Sequence, residues 1–316
     1  MNILVVGAGG QIGTELVPHL QTVYGKNNII AADLKEEFLQ KFKKTCNIAV
    51  LDALDMEGYR KIVQKNGIGR IYNLVALLSA TGEKSPKLAW DINMGALLNS
   101  LELAKEFNCS IFTPSSIGVF GHSTPHDNTP QDTVMRPSTM YGACKIAGEL
   151  LSDYYHLKFG VDARSVRYPG IISNGALPGG GTTDYAVEVF YEILRAGRYT
   201  CPIPEDTYMD MLYMPDALEA AVQLMEADPK KLRHRNSFNV TCMSFTPKQL
   251  FAAIKRRVPN ALFDYEIDPI KANISSSWPN KMDDSCAREE WGWSPEWDME
   301  RMVDDMLHAV AEKVKI

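Results

Sequence analysis

Met1-Asn-Ile-Leu-Val-Val-Gly-Ala-Gly-Gly-Gln-Ile-Gly13 decides the fold. The run Ile3-Leu4-Val5-Val6 is a short apolar stretch of the kind that forms a buried parallel strand. Gly7, Gly10 and Gly13 follow at once, with Gln11 and Ile12 between the last two. Glu15 to Leu20, broken only by Pro18, reads as the start of a helix. A strand that ends in a glycine turn and opens a helix makes a phosphate site, because backbone N–H groups and the helix macrodipole both favour an anion there. The glycines permit the tight turn, the close approach of a pyrophosphate and close helix–strand packing. A second apolar run, Ile29-Ile30-Ala31-Ala32, ends in Asp33, twenty residues after Gly13. A carboxylate in that place accepts bonds from the adenosine ribose hydroxyls. Asp33 would also serve as a helix N-cap, but its position after a strand favours the ribose role. The combination predicts dinucleotide binding.

Outward from this segment, apolar runs and helical patterns alternate. Strands are predicted at 2–6, 28–32, 47–51, 70–75, 109–113 and 162–167, and helices near 11–23, 36–43, 56–65, 86–107 and 139–159. Such alternation predicts an α/β fold, a Rossmann-type doubly wound parallel sheet, and six strands would supply two dinucleotide-binding halves. Past residue 168 the character changes. The segment 169–183 is rich in glycine, Gly180 included, and is predicted to be a loop. Helices are predicted at 184–196, 215–227 and 246–257, with short strands at 199–203, 209–213, 236–240 and 262–266. The expected organisation is a nucleotide-binding domain over 1–168, joined by about 209–240, and a smaller, discontinuous substrate-binding lobe from 169–208 and 241–316.

Composition narrows the function classes. The chain has 316 residues, 45% hydrophobic and 23% charged, with a formal net charge of −6. No basic block stands out, which disfavours nucleic-acid partners and anionic membrane surfaces. No apolar run approaches the roughly 18 residues of a membrane span. With the first strand at residue 3, no leader is expected ahead of it. Six cysteines are scattered without a CxxC pair, so reduced thiols and a cytoplasmic location are expected. His122 and His126 have HxxxH spacing, but Gly121 and Pro125 argue against a helix there, so no metal is expected.

A second motif carries chemistry. Tyr141-Gly-Ala-Cys-Lys145 is a YxxxK, and on a helix positions i and i+4 share a face. Free tyrosine ionises near pH 10, too high for a base at neutral pH. A neighbouring ammonium, or an oxidised nicotinamide, favours the phenolate. Upstream, Ile111-Phe-Thr-Pro-Ser-Ser116 reads as a strand ending in hydroxyls, one of which would orient a substrate oxygen towards the tyrosine.

The ordered set GxxGxxG, Asp33, Asn93, Ser116 and Tyr141xxxLys145 resembles the extended short-chain dehydrogenase/reductases, the group of the UDP-galactose 4-epimerases and sugar-nucleotide dehydratases. Pro-Ser-Ser-Ile-Gly-Val-Phe-Gly (114–121) resembles their serine segment. The resemblance implies Ser116 as the catalytic hydroxyl, with Ser115 the lesser candidate. It implies Asn93 as a helix asparagine supporting the site and Asp52 as the acid that reaches the adenine amino group. Ala53, Leu74 and Ala76 join the implied cofactor contacts, and Tyr168-Pro169 lies beside the nicotinamide. Further segments resemble the short-chain-type L-threonine 3-dehydrogenases: Leu77-Leu-Ser-Ala-Thr-Gly-Glu83, Arg167-Tyr-Pro-Gly-Ile-Ile-Ser173, Gly179-Gly-Gly-Thr-Thr-Asp-Tyr-Ala186, Tyr213-Met-Pro-Asp216, Ser277-Trp-Pro279 and Asp283-Asp-Ser285. The likeness spans essentially the whole chain. It implies metal-independent, NAD-dependent oxidation of the threonine C3 hydroxyl, a step of threonine catabolism, and a homodimer. Ser79, Thr182, Thr183, Asp184 and Trp278, with Ser116 and Tyr141, would then face an amino-acid substrate. Cys201 to Thr207 departs from the pattern and receives no role.

Simpler readings stand beside these. Thr182 and Thr183 follow three glycines, where hydroxyls often cap a helix; Asp283 and Asp284 suit the cap of a helix at 285–291; and Trp278 would ordinarily be core. The segment 299–315 reads as an amphipathic surface helix. A sugar-nucleotide epimerase or dehydratase would need a clamp for two phosphates, for which Arg164, Arg167 and Arg195 are candidates. A nucleotide sensor without turnover would have no need of Ser116, Tyr141 and Lys145 together.

Overall fold

The computed structural model describes residues 1–176, 179 and 181–314; Gly180 lies outside the described residues. Strands β1 (Asn2–Val6), β2 (Ile29–Asp33), β3 (Asn47–Val50), β4 (Ile68–Asn73), β5 (Ser110–Phe112) and β7 (Ala163–Arg164) form one sheet in the order β3-β2-β1-β4-β5-β7. Every pairing in it is parallel. Helices α1 (Gln11–Tyr24), α2 (Glu36–Leu39), α3 (Met56–Asn66), α5 (Pro86–Phe107) and α6 (Met140–Phe159) connect the strands. This is the doubly wound arrangement, with its order reversing between β1 and β4.

Alternation along the strands explains the layers. Ile3 and Val5 of β1 and Ile29 and Ala31 of β2 pack in one core with Leu16, Val17 and Leu20 of α1. Leu4, Val6, Ile30 and Ala32 point the other way, into a core with Tyr59 and Val63 of α3 and Leu97 and Leu101 of α5. Side chains that alternate faces with period two force both faces to be covered, which is why these strands read as unbroken apolar runs.

The second half adds β9 (Gly170–Ile172), α7 (Tyr185–Ala196), β10 (Arg198–Cys201), β11 (Met209–Tyr213), α8 (Met214–Glu226), β12 (Phe238–Asn239), β13 (Met243–Phe245), α9 (Pro247–Arg257), β14 (Leu262–Tyr265), α10 (Pro269–Ser275), α11 (Ser285–Trp291) and α12 (Met299–Val314). A further core gathers apolar residues of α7, α9 and α12, among them Phe190, Ile254 and Met306. Strand β11 pairs with β9 and β13, while α8, which follows it directly, packs against α1.

Several elements depart from expectation. The predicted strand 162–167 is two strands, β7 and β8 (Val166–Tyr168). The chain changes partners at Ser165, whose carbonyl and hydroxyl accept the backbone N–H groups of Phe238 and Ser237, and β8 then pairs with β12 and with the two-residue β6 (Ser115–Ser116). The expected loop 169–183 contains β9, because Ile171 and Ile172 lie in parallel register with Leu212 and Tyr213. The helix expected over 36–43 ends at Leu39 and tightens into a 3₁₀ turn over Gln40–Phe42. The six-residue α4 (Ser79–Lys84) and the seven-residue α10 are too short for periodicity to reveal. Of the two aspartates before α11, Asp283 takes the Ser285 N–H, whereas Asp284 binds Arg288 and the Trp293 indole N–H instead of capping.

Candidate active site

The glycine turn sits where β1 meets α1. Gly7 has φ +80°, in the left-handed region that glycine adopts without strain, and its N–H donates to the Ala32 carbonyl on β2 at 3.0 Å. A Cβ on Gly13 would come within 2.6 Å of the Gly7 carbonyl oxygen and 2.7 Å of the Ala8 Cα, so Gly13 lets the first turn of α1 lie on the loop itself. No acidic side chain occupies that first turn, which leaves the positive end of the helix open to an anion. Asp33 closes the turn from the far side: its carboxylate accepts the N–H groups of Gly9 and Leu34, each at 2.8 Å. Two oxygens accept about four bonds in all, so capacity for ribose hydroxyls remains.

A cleft of about 1,220 Å³ opens here, lined by Gly7, Gly10, Asp33, Asp52, Ala53, Leu74 and Ala76, with Phe38 and Ile92 among its apolar walls. A second cavity of about 850 Å³ shares Leu74 and Ala76 with it. Gln11, Ile12, Ser79, Ser116, Tyr141, Lys145, Tyr168, Pro169, Thr182, Thr183, Asp184 and Trp278 all line this second space. The two spaces meet at the C-terminal ends of β1 and β4, the switch point of the sheet. Together they run from Asp33 and Asp52, past the start of α1, to Tyr168 and Tyr141, an elongated space of the shape a dinucleotide requires. Of the residues predicted for the site, Gly13 and Asn93 line neither space.

The reactive end draws on β6, the start of α6 and the turn at Thr182–Asp184. Ser116 ends β6, and its hydroxyl accepts the Gly118 N–H at 3.0 Å. Thr139 caps α6 by accepting the Gly142 N–H at 3.1 Å, which places Tyr141 in the first turn. Lys145 follows one turn later, with Nζ 5.4 Å from the Tyr141 ring centre and donating to the Pro114 carbonyl at 2.6 Å. Thr182 to Asp184 form a 3₁₀ turn whose Asp184 carboxylate accepts the Gly181 N–H at 2.6 Å. Thr182 and Asp184 are buried. The Thr183 methyl packs over Gly170, where a Cβ would lie 2.6 Å from it. Gly170, Ile171, Ile117 and Leu78 also line the wall; they lie within the quoted segments but were given no role of their own, because apolar wall residues look like core.

Asn93 lies behind this wall. Its side chain accepts the Leu77 N–H at 2.7 Å and donates to the Leu77 carbonyl at 3.2 Å, so it holds the segment that leads into Ser79. Deeper still, Glu149 and Arg167 form a buried two-bond pair at 2.9 and 2.8 Å. Glu149 also accepts the Ser115 hydroxyl at 2.5 Å, so the proton of that hydroxyl is already committed. The three arginines weighed as a phosphate clamp are elsewhere. Arg164 is spent on Asp162 and on the Leu224 and Ala227 carbonyls, Arg167 on Glu149, and Arg195 lies half exposed on α7. Among the described residues, Lys145 and Asp184 are the charged side chains that line the second cavity.

Burial shifts several acids nearby. Glu15 of α1 binds the Ser173 hydroxyl, and burial raises it above the usual carboxyl range. Asp210 on β11 is fully buried, holds Thr241 and the Met282 N–H, and is pushed up to about 7. Burial also raises the Tyr168 phenol, whose hydroxyl donates to the Ala217 carbonyl at 2.6 Å; Tyr168 is thereby a wall, held in place from α8. His122 and His126 lie in irregular chain, where the His126 carbonyl accepts the Asn280 N–H. Among the described residues, one group has metal-ligand character: His234, Cys286 and Glu290. Glu290 there accepts the backbone N–H groups of Arg233 and His234, and none of the three lines either cavity.

Comparison with known proteins agrees with this geometry. An uncharacterized epimerase/dehydratase of Staphylococcus haemolyticus is 50% identical over 311 residues, 98% of each chain. The crystal structure of an L-threonine dehydrogenase from Clostridium difficile superposes with a TM-score of 0.96 at 47% identity, covering 99% of this chain and 98% of that one. A monomeric L-threonine 3-dehydrogenase of metagenomic origin, in its apo form, gives 0.93 at 40% identity over 99% and 100%. The model of the NAD dependent epimerase/dehydratase family matches residues 3–241, and the chain belongs to that family, with NAD as its cofactor.

Proposed function

We propose that this protein oxidises L-threonine at C3, giving 2-amino-3-oxobutyrate. One observation carries the reading. Ser116, Tyr141 and Lys145 share a cavity with Ser79, Thr182, Thr183, Asp184 and Trp278, a lining of short polar groups with one cation and one carboxylate. That suits a small zwitterion bearing a hydroxyl. A sugar nucleotide would need cations for its two phosphates, but Arg164 and Arg167 are engaged elsewhere and Arg195 does not line the cavity. The two solved neighbours described above are themselves L-threonine dehydrogenases.

NAD⁺ supplies the hydride acceptor. The protein's part is orientation and proton transfer. Ser116 holds the C3 oxygen. Tyr141, as phenolate, takes its proton while the C3 hydrogen leaves as hydride. Lys145 stabilises the negative phenolic oxygen from one helical turn away and reaches the nicotinamide ribose. Ser79, Thr182, Thr183 and Asp184 hold the carboxylate and ammonium. Asp33 bonds the adenosine ribose, Asp52 the adenine, and Asn93 acts through Leu77 rather than by touching the cofactor. The nucleotide domain spans 1–168 with about 209–240, and 169–208 with 241–316 make the substrate lobe.

A homodimer is supported by the exposed apolar side chains Leu98 on α5 and Leu150 and Leu157 on α6, two helices that pack together. Light scattering of the purified protein checks it; a single-chain mass removes the dimer and leaves the chemistry untouched. Among the described residues no helix is long and apolar enough to cross a membrane, and the expected location is the cytoplasm.

The experiment that tests the activity mixes protein and NAD⁺ with L-threonine, L-allo-threonine, L-serine and UDP-sugars. NADH forms with L-threonine, weakly with L-serine, which lacks the methyl group, and not with UDP-sugars. Conversion of a UDP-sugar with no response to L-threonine replaces this reading with the epimerase or dehydratase one.

A further inference from the structure

We infer that Glu83 is a positioning residue that holds the substrate-side helix α4 in register with the general base on α6. The inference rests on the proposed chemistry at Tyr141 and goes beyond the residues that touch cofactor or substrate.

The first turn of any α-helix leaves backbone N–H groups without an internal partner. In α6 these groups flank Tyr141. Thr139 takes the N–H of Gly142, and the N–H of Met140, the residue before Tyr141, is taken by the Glu83 carboxylate at 2.8 Å across 57 positions of sequence. Glu83 lies one helical turn after Ser79 on α4, and the short helix closes through the Gly82 N–H and the Leu78 carbonyl at 2.7 Å. The other end of the same segment is pinned by Asn93, which bonds both backbone groups of Leu77. Ser79, which lines the cavity, is therefore bracketed: Asn93 fixes the chain two residues before it and Glu83 ties the chain four residues after it to the helix of the base.

α4 also packs against α5 and α6, but among the described residues Glu83 is the α4 side chain that bonds a backbone group of α6. A helix of six residues makes too few internal bonds to hold its own orientation. The Glu83 contact opens onto a groove bordered by Ser138, Thr139 and, from α10, Ile270 and Asn273. Water therefore reaches the contact, so its net stabilisation is small, while its directional constraint on Tyr141 persists. A negative carboxylate at a helix N-terminus is also the favourable sign for the macrodipole.

The test compares Glu83→Ala and Glu83→Gln with the wild type. The readouts are steady-state kinetics on the substrate that the wild type oxidises, NAD⁺ affinity by fluorescence titration, and melting temperature. The glutamine carbonyl accepts the same N–H; alanine cannot. Misplacing reacting groups by about 1 Å costs about a hundredfold. Glu83→Ala is expected to lower kcat/KM roughly ten- to a hundredfold, with NAD⁺ affinity within about twofold of wild type, because Glu83 itself lines neither the adenosine cleft nor the second cavity. Glu83→Gln is expected to restore kcat/KM to within about threefold. Unchanged kinetics in Glu83→Ala overturn the inference. So does a Glu83→Gln variant as impaired as the alanine one, which would make charge, not the hydrogen bond, the active feature. A kcat/KM loss no larger than the drop in folded fraction would reduce Glu83 to a stabilising cap and overturn it as well. A wild type that is silent with L-threonine but converts another substrate defeats the substrate assignment and leaves this comparison to be read on that substrate.

Discussion

The two halves of the cleft are made differently. Gly7, Gly10, Gly13 and Asp33 all lie in the first 33 residues and belong to a single strand–turn–helix and its neighbour strand. Their work is done largely by backbone: a positive φ at Gly7, a Cβ-free contact at Gly13, and N–H groups of Gly9 and Leu34 gathered by one carboxylate. The substrate half draws Ser79, Ser116, Tyr141, Thr182 and Trp278 from five segments spread over two hundred residues. There, side chains do the work, and the chain that carries some of them is held from a distance: Asn93 bonds both backbone groups of Leu77, and Glu83 takes the Met140 N–H. A local device survives small displacements of the rest of the molecule; a constellation does not. Mutations in the two halves should therefore behave differently.

The largest difference is expected at Tyr141. Tyr141→Phe keeps the ring that Lys145 overlies but removes the proton acceptor. Turnover should fall by about 10²- to 10⁴-fold, the usual contribution of a general base, while titration with NAD⁺ gives nearly the wild-type affinity. Loss of both together would mean that the halves are not separable. Thr183→Ala comes next. Leaving a buried substrate group unpaired costs about 1–3 kcal/mol, so kcat/KM for L-threonine should fall correspondingly, again without change in NAD⁺ affinity. In the other half, Asp33→Asn should show the reverse pattern. At the adenosine ribose, where we propose it, Asp33 would repel a 2′-phosphate, and its replacement should cut the preference for NAD⁺ over NADP⁺ by at least about tenfold, or about 1.4 kcal/mol, with kcat at saturating cofactor little altered. Equal use of NAD⁺ and NADP⁺ by the wild type would show that Asp33 does not face the ribose.

The smallest effect is on stability and concerns β11, the strand between β9 and β13. Asp210 on β11 is pushed up to about 7 by burial, from an ordinary value of 3.8. Between about pH 4 and 7 the folded protein then holds a proton that the unfolded chain has released, so stability falls as pH rises through that window. Asp210→Asn removes the ionisable group, and its melting temperature should lose that downward slope whatever its absolute level. A slope as steep in the variant as in the wild type would assign the pH dependence to other groups.

The same contrast explains what could be read from the chain. The sheet was legible because its strands are buried on both faces, which leaves Ile3 to Val6 and Ile29 to Ala32 as continuous apolar runs. The nucleotide site was legible because Gly13 and Asp33 sit at spacings set by one local unit. In the substrate half, Tyr141 and Lys145 declared themselves through helical spacing, whereas Ser79, Thr182 and Trp278 rested on resemblance alone, since a serine or tryptophan carries no period. Strand β9 was hidden in a glycine-rich stretch because its partner, β11, lies some forty residues further along. Asn93 and Glu83 act on the backbone of distant segments, and Arg167 took its meaning from Glu149, a partner that only the fold reveals.

The account turns on a hydride leaving C3 of L-threonine, and the most direct measurement follows that atom. L-threonine deuterated at C3 is incubated with the protein and unlabelled NAD⁺, and the reduced cofactor is analysed by mass spectrometry. The account predicts one deuterium per reduced cofactor, with undeuterated L-threonine as the unlabelled control. Reduced cofactor without deuterium, or no reduced cofactor from L-threonine at any cofactor concentration, would contradict it.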